Sequence, residues 1–528
     1  MAIKVSGTSV INDSRQLQNV ASLDATTTNT IAAAIPSGGS TVELVASGTL
    51  SNGTTVCLNS NGTVSAVSGS ETNQVFNQSS SYDYPADQQF ASIYEPNQNK
   101  VVAFSRNTGS YGMRAYVGTV SGNTISFGSA QTTSNTRCEE IGLCYDDYAN
   151  KIIAVYRGAS PYYGYARAIS VSGSSLNFGT EYAFNTSEST VSLSVGFDAG
   201  QNKSIVDYGK AFTSTRCKVI TGNPSNHSLS FGSETQISSS YPGSARGRRF
   251  SYDTSINRLV HVAATNSSNI EARICTISGT SPSFSSPTII TGPNRSPAQS
   301  SGSTNLTDIQ YDPDNECHMV LVTSSALGRA GSSLQPLTTS STSAFAALVN
   351  PLLFTTNSDT GQARISYDTA ADSIIAVGNK IDADAASDVL QYVKIEYDGT
   401  NFTLQPAVNF GGLKASGNVM NSFDTNSSKV AINYVSGNNA YGICLQTPYA
   451  DSNLSNDNFL GFSDAAYSNG QTATVEVNGN ISDNQSGLTG AQKYYVQSNG
   501  TLSLTPNDFT PEAYAGLALT SSKILIKG

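Results

Sequence analysis

The chain has 528 residues, a formal charge of −10, only 12% charged residues and no tryptophan. That balance argues against nucleic acid or an anionic membrane as partner, since either would need a basic stripe to displace counterions. Seven cysteines, an odd set without CxxC or zinc spacing, suit free thiols packed as small hydrophobes and synthesis in a reducing cytoplasm.

The first 40 residues, with Ser14 to Val20 and a Thr/Asn tract, read as an attachment arm. No apolar h-region opens the chain, and Ile31 to Ile35 is far too short to enter a bilayer, so neither a signal peptide nor membrane insertion is expected. Ser60-Asn61-Gly62-Thr63 between β-rich runs predicts a small hairpin. Ser70 to Val75 is an orphan strand that echoes Ser233 to Ile237 further on.

From Tyr94 one phrase recurs: an aromatic, usually an acid, a small-polar turn, then a β-rich run. It reads Tyr94-Glu95-Pro96-Asn97-Gln98-Asn99-Lys100-Val101 and Tyr145-Asp146-Asp147-Tyr148-Ala149-Asn150-Lys151-Ile152. It returns at Phe197-Asp198, Tyr252-Asp253, Tyr311-Asp312, Tyr367-Asp368 and Phe423-Asp424. The aromatics are 51, 52, 55, 59, 56 and 56 residues apart. A strand-rich repeat of this length cannot bury both faces of its sheet alone, so radial stacking is expected. Seven copies predict a seven-bladed β-propeller, all-β, flanked by the N-terminal arm and small β-hairpin modules.

Within the second repeat, Ile141 to Tyr145, Ile152 to Tyr156, Ala166 to Val171 and Leu176 to Gly179 read as four strands. Phe127, Phe178, Phe231 and Phe284 recur on the fourth strand and are predicted to fill the seams between blades. Cys217, Cys275 and Cys444 sit on third strands as buried spacers. The loops between second and third strands, Arg106 to Tyr111 and Arg157 to Tyr163, carry the candidate ligand-binding residues Arg106, Tyr111, Arg157, Tyr162 and Tyr163. Tyrosine supplies an apolar face with a polar tip, which suits sugars, although packing or protein contact is the competing role.

Arg246-Gly247-Arg248-Arg249 reads as a solvated loop or interface anchor rather than a phosphate site. Asp312-Pro313-Asp314-Asn315-Glu316 invites a calcium reading, but no copy has the DxDxDG arrangement, and Asp or Asn before small polar residues is ordinary turn chemistry. No metal ligand or cofactor is expected. The seventh repeat lacks an evident fourth strand, so residues near Thr72 to Ser79 are expected to complete the blade begun near Val419. The C-terminal part, with Phe459-Leu460-Gly461-Phe462, Thr472 to Val477 and a second Ser498-Asn499-Gly500-Thr501 turn, predicts another small β module. The expected domains are therefore 1–69, 70–454 and 455–528.

The opening, Ile3-Lys4-Val5-Ser6-Gly7-Thr8 through Asp13-Ser14-Arg15-Gln16-Leu17-Gln18-Asn19-Val20, resembles the start of tail-fibre and related structural proteins of tailed bacteriophages, particularly those infecting cyanobacteria. Phe459 to Phe462 through Ser486-Gly487-Leu488, and Tyr495-Val496-Gln497 to Ala515-Gly516-Leu517-Ala518, resemble a small module of phage fibre proteins. The resemblance implies a virion component made in the host cytoplasm, attached to other virion proteins through its N-terminal arm and assembled as a homo-oligomer, often a trimer.

Three functions follow. The first is a tail fibre or similar appendage whose propeller presents a surface to host glycan or protein. The second is a purely architectural decoration or connector. The third is a propeller glycosidase, disfavoured because the acids belong to repeating turns rather than to one opposed pair, while His227, His261 and His318 are each isolated. The expectation is no catalytic residue.

Overall fold

The computed structural model describes residues 3–5, 8–11, 41–72, 74–83, 90–106, 112–133, 138–211, 213–239, 247–264, 270–290, 304–324, 331–346, 351–353, 363–379, 389–415, 419–455, 458–506 and 513–526. Every element among them is a β-strand. The segment expected to be an attachment arm falls outside them, apart from the hairpin pair Ile3–Val5 and Thr8–Ile11. The chain forms two units, one of residues 73–447 and one of residues 1–72 with 448–528.

Among the described residues the larger unit has seven antiparallel sheets, each of four strands with a short fifth strand pairing to the third, in chain order in the first six. Their first strands are Phe90–Glu95, Glu139–Asp146, Thr190–Asp198, Arg248–Asp253, Thr304–Asp312, Arg364–Asp368 and Val419–Asp424. Each first strand packs against the next, and the last packs against the first, so the sheets close a propeller-like ring. The seventh sheet takes its fourth strand from early in the chain. Val75–Gln78 pairs antiparallel with Asn439–Gln446, Gln446 opposite Val75 and Ile443 opposite Gln78, and Tyr82–Asp83 supplies the short fifth strand.

The turn after each first strand explains the recurring phrase. The acid is buried, and one of its oxygens caps the turn: Asp146 accepts from the Ala149 amide at 2.9 Å, Asp198 from Gln201 at 3.0 Å, Asp253 from Ser255 at 3.0 Å, and Glu95 from Gln98 at 2.8 Å. The residue before the second strand then sits in the left-handed region: Asn99, Asn150, Asn202, Asn257, Glu316, Asp372 and Ser428, with φ between 45° and 54°. Asparagine tolerates that region better than most L-residues, which is why it occupies four of the seven positions. In the fourth and sixth sheets the acid's other oxygen reaches the following sheet. Asp253 Oδ2 accepts from Thr339 Oγ1 at 2.8 Å and lies 3.3 Å from His318 Nε2, and Asp368 accepts from the Thr447 hydroxyl. One side chain thus shapes its own turn and fastens its neighbour.

Apolar alternation fills the seams. Phe127 is half-buried between the first and seventh sheets, where a Cβ on Gly118 or on Gly442 would meet its ring at 2.7 Å. Phe178, Phe231 and Phe284, also half-buried, pack in the seams behind the second, third and fourth sheets. All seven cysteines are buried free thiols, and burial raises the Cys217, Cys275 and Cys444 thiols well above the ordinary range.

The smaller unit corrects the separation of the two flanks. Its first sheet runs in the order Thr41–Val45, Thr472–Glu476, Phe459–Ser463, Thr55–Leu58, Val64–Ala66, so strands from both flanks alternate. A second sheet, wholly from the C-terminal flank, runs Ile481–Ser482, Ile524–Ile526, Tyr514–Ala518, Lys493–Val496, Leu502–Ser503. Taken in chain order, the two sheets have the same topology. They also share details: the Asn61-Gly62 and Asn499-Gly500 turns have glycine φ of 80° and 82°, and each asparagine Oδ1 accepts from the following threonine amide. Gly461 and Gly516, at φ 154° and 148°, occupy matching strands where a Cβ would strike the carbonyl of Glu476 or Leu525. The unit is therefore two copies of one module, and the larger unit is inserted in the first copy between its third and fourth strands in chain order. One apolar cluster, including Cys57, Phe462, Val496, Ala515 and Ile524, joins the copies.

Candidate recognition site

Features that recur from sheet to sheet serve the ring. Tyr156 and Arg167 hold Glu181 in the second sheet, and in the third Tyr208 donates to Glu234 at 2.6 Å while Lys210 pairs with it at 2.9 Å. Departures from the repeat mark where the chain has been shaped for something else.

One such departure lies at the ends of the second strands. The second sheet begins with a bulge between Glu139 and Ile141, where Glu140 takes φ 47°. Consecutive strand residues ordinarily face opposite ways, but the inserted residue turns both acids to one side. Arg157 receives both: its Nη2 lies 3.0 Å from Glu139 and its Nη1 3.1 Å from Glu140. Arg106, at the matching place in the first sheet, lies 3.9 Å from Glu139. Burial raises the Glu140 carboxyl above its ordinary value, partly offset by Arg157 and by the Ser192 amide that donates to it at 2.5 Å. Ser192 also has positive φ, 50°, within a bulge of the third sheet, as does Ala211 at 51°, whose amide donates to Ser189.

The loop from Arg157 to Gly164 closes on itself through Gly158 N to the Tyr163 carbonyl at 2.9 Å and Tyr162 N to the Ala159 carbonyl at 2.7 Å. Tyr162, at φ 63°, is tied to the third sheet by its carbonyl, which accepts from the Thr190 amide at 2.7 Å. Gly164 permits the return, since a Cβ there would meet the Phe184 ring at 2.4 Å. Held this way, the Tyr162 ring is 42% exposed, and the Arg157 guanidinium lies 5.4 Å from its centroid. A cation over a tyrosine face fixes the ring and leaves its phenol available to a ligand.

Of the residues singled out in the sequence, the structure brings Arg106, Arg157 and Tyr162 around Glu139 and Glu140. Tyr163 enters through its main chain, and Tyr111 lies outside the described residues. Glu139 and Glu140 were missed; two consecutive acids opening a second-repeat strand were the available signal. Because both grip one guanidinium, they do not face each other across room for a substrate, the arrangement that glycoside cleavage uses.

At the opposite ends of these strands Asp312, Asp314 and Asp372 offer carboxylate oxygens within 4.8 Å of one another. The cluster has its own protein donor, because the Tyr367 hydroxyl lies against both Asp314 and Asp372. Asp312 Oδ1 accepts from the Asp314 and Asn315 amides at 3.1 Å each, as in the other turns.

No family model matches the sequence, and no curated protein matches it. Among solved structures, the chain is similar to a protein from Lactobacillus plantarum at 11% identity and TM-score 0.42, covering 63% of this chain and 86% of that one. It is also similar to AofleA from Arthrobotrys oligospora at 10% identity and TM-score 0.35, covering 68% of this chain and 96% of that one. Likeness at this level carries no conclusion about what the chain does.

Proposed function

We propose that the larger unit is a seven-bladed β-propeller and that the chain is a structural component of a tailed-phage virion, a tail fibre or similar appendage, whose propeller binds glycan on the host surface. Seven sheets in cyclic contact, the last completed by Val75–Gln78, support the blade number. The resemblance of the two flanks to phage fibre proteins supports the virion setting, with attachment through the N-terminal arm and assembly as a homo-oligomer. The recognition reading is carried by one observation: exposed Tyr162, at positive φ, over an arginine clamped by two carboxylates. Strained, over-determined positions of this kind collect at ligand sites.

The test is binding of fluorescent protein to a panel of bacterial cells and to their protein-free lipopolysaccharide. Binding without release of oligosaccharide is expected. Tyr162→Ala, at an exposed position, should weaken it about tenfold or more, since an aromatic anchor contributes on the order of 2 kcal/mol. Oligosaccharide release, or binding indifferent to Tyr162→Ala, would overturn the reading.

A further inference from the structure

The third sheet breaks the repeat a second time, at the far end of its strands. The turn between third and fourth strands holds two residues in the first, second and fourth sheets, as between Ser172 and Ser175, but in the third it extends from Gly222 to Leu229. The longer loop walls a groove of about 480 Å³ on the seam between the second and third sheets. Tyr148, 48% exposed, stands on one side, and Gln201, Asn202, Lys203, Ser228 and Ser230 line the rest.

The groove is built rather than incidental. The buried Lys151 ammonium reaches three carbonyls, Ala149 at 2.8 Å, Pro224 at 3.2 Å and Asn223 at 3.3 Å, and so ties the loop to the second sheet. Asn223 Oδ1 accepts from the Ser225 amide and Asn226 Oδ1 from the Ser228 amide, each at 2.8 Å, which sets the loop's two bends. His227 Nε2 lies 2.9 Å from Ser170 Oγ, a contact that Gly179 makes room for, since a Cβ there would meet His227 at 2.4 Å. Gly222 lets the sheets close beneath, because its Cβ would meet Asp146 Oδ2 at 2.8 Å. A wall fixed at three points needs little ordering when a ligand arrives.

Its chemistry selects the ligand. A volume of this size suits a small molecule or one or two sugar rings. Apart from Tyr148, Pro224, Leu229 and the Lys203 ammonium, the lining is mostly amide and hydroxyl, so an apolar ligand would strand those groups without partners. Among the described residues Lys203 is the one cation of the lining and Asp146 lies in its field, so no cluster of positive charge favours an anion. We infer that this groove binds a neutral hexopyranose unit of an oligosaccharide, its apolar face on Tyr148 and its hydroxyls toward Gln201, Asn202, Ser228 and Ser230. The site stands at the opposite end of strand Lys151–Arg157 from Tyr162, and it exists or fails independently of that cluster.

A microarray of neutral and uronic-acid-containing bacterial polysaccharide fragments, probed with the full chain, tests this. Binding to at least one neutral fragment is expected, weakened at least tenfold by Tyr148→Ala and abolished by Ser230→Trp, which fills the groove from an exposed position. Circular dichroism of both groove variants should match the parent. Binding to acidic fragments alone, no binding to neutral ones, or neutral binding that survives both groove substitutions would overturn the inference. Loss with Tyr162→Ala alone would assign the sugar to the other end of the ring and overturn it equally.

Discussion

Arg248 reaches across the seam between the third and fourth sheets to Asp207, Nη1 to Oδ1 at 2.7 Å, with both side chains sealed from solvent. His261 Nε2 holds the other oxygen at 2.6 Å, and Thr215 Oγ1 lies 3.2 Å from Arg248 Nη2. Burial pushes the Asp207 carboxyl up, but Arg248 and His261 together outweigh it and hold the group below the usual carboxylate range. Arg248→Met should therefore destabilise the protein by on the order of 3 kcal/mol, because it leaves a carboxylate buried without its cation. Asp207→Leu combined with Arg248→Met should recover part of that loss. Because the folded carboxyl titrates below its unfolded value, its contribution is present above about pH 4 and fades as pH falls further. Thermal midpoints of the two variants and the parent at pH 7 and at a pH well below 4 check both statements.

The Asp372 carboxyl behaves in the opposite sense. Burial, aided by Asp314 and opposed by the Tyr367 hydroxyl, pushes it up to about 6. A carboxyl raised in the folded state stabilises below its unfolded value, near 4, and that contribution is lost as pH rises through 6. Asp372 occupies the left-handed turn position where four other sheets carry asparagine. Asp372→Asn should thus stabilise the protein at pH 8, by on the order of 1 kcal/mol given the group's exposure, and make little difference at pH 4. Equal midpoints at pH 8 would refute it.

Glu316 holds the same turn position at φ 47° without asparagine's tolerance for it. Glu316→Asn should raise stability by about 0.5–1 kcal/mol at any pH from 5 to 8, read from the denaturation midpoint.

Closure of the ring depends on Val75–Gln78, since without it the edge of Asn439–Gln446 is bare. A chain of residues 73–447 should elute as a single species, whereas one of residues 86–447 should aggregate through the open edge. Light scattering after size-exclusion chromatography separates the two, and equal behaviour would show that the strand is dispensable.

The turns were legible in the sequence because acid, small residues and asparagine lie within six contiguous positions, and the missing fourth strand of the seventh repeat pointed to its replacement. Partners distant along the chain were not legible. Arg248, in a run that reads as a solvated loop or interface anchor, is sealed because Asp207 lies 41 residues away on the neighbouring sheet; Arg246 lies outside the described residues. Each histidine, isolated along the chain, has a cross-strand or cross-sheet partner: Ser170 for His227, Asp207 for His261 and Asp253 for His318. Nothing in the composition marks the bulge at Glu140, so two adjacent acids before the strand at Ile141 gave no sign that they share Arg157. The flanks looked like separate modules because Thr41–Val45 and its partner Thr472–Glu476 are separated by nearly the whole chain. The doubled Ser-Asn-Gly-Thr turn was the visible trace of their kinship.

The first copy of the small module is interrupted where the chain leaves through Gly69–Thr72 and returns through Tyr449–Ser452, and these segments pair, Gly69 opposite Ser452 and Thr72 opposite Tyr449. Asn453 clasps the base, its Oδ1 accepting from the Ser68 amide and its Nδ2 donating to the Ala66 carbonyl, both at 2.8 Å. The outgoing and returning backbones are thus brought to the spacing of a hairpin, and in the second copy only ten residues separate the matching strands Leu502–Ser503 and Tyr514–Ala518. The pair works as a socket: any domain whose ends meet could be spliced in there, or a bare two-residue turn, leaving both small sheets intact.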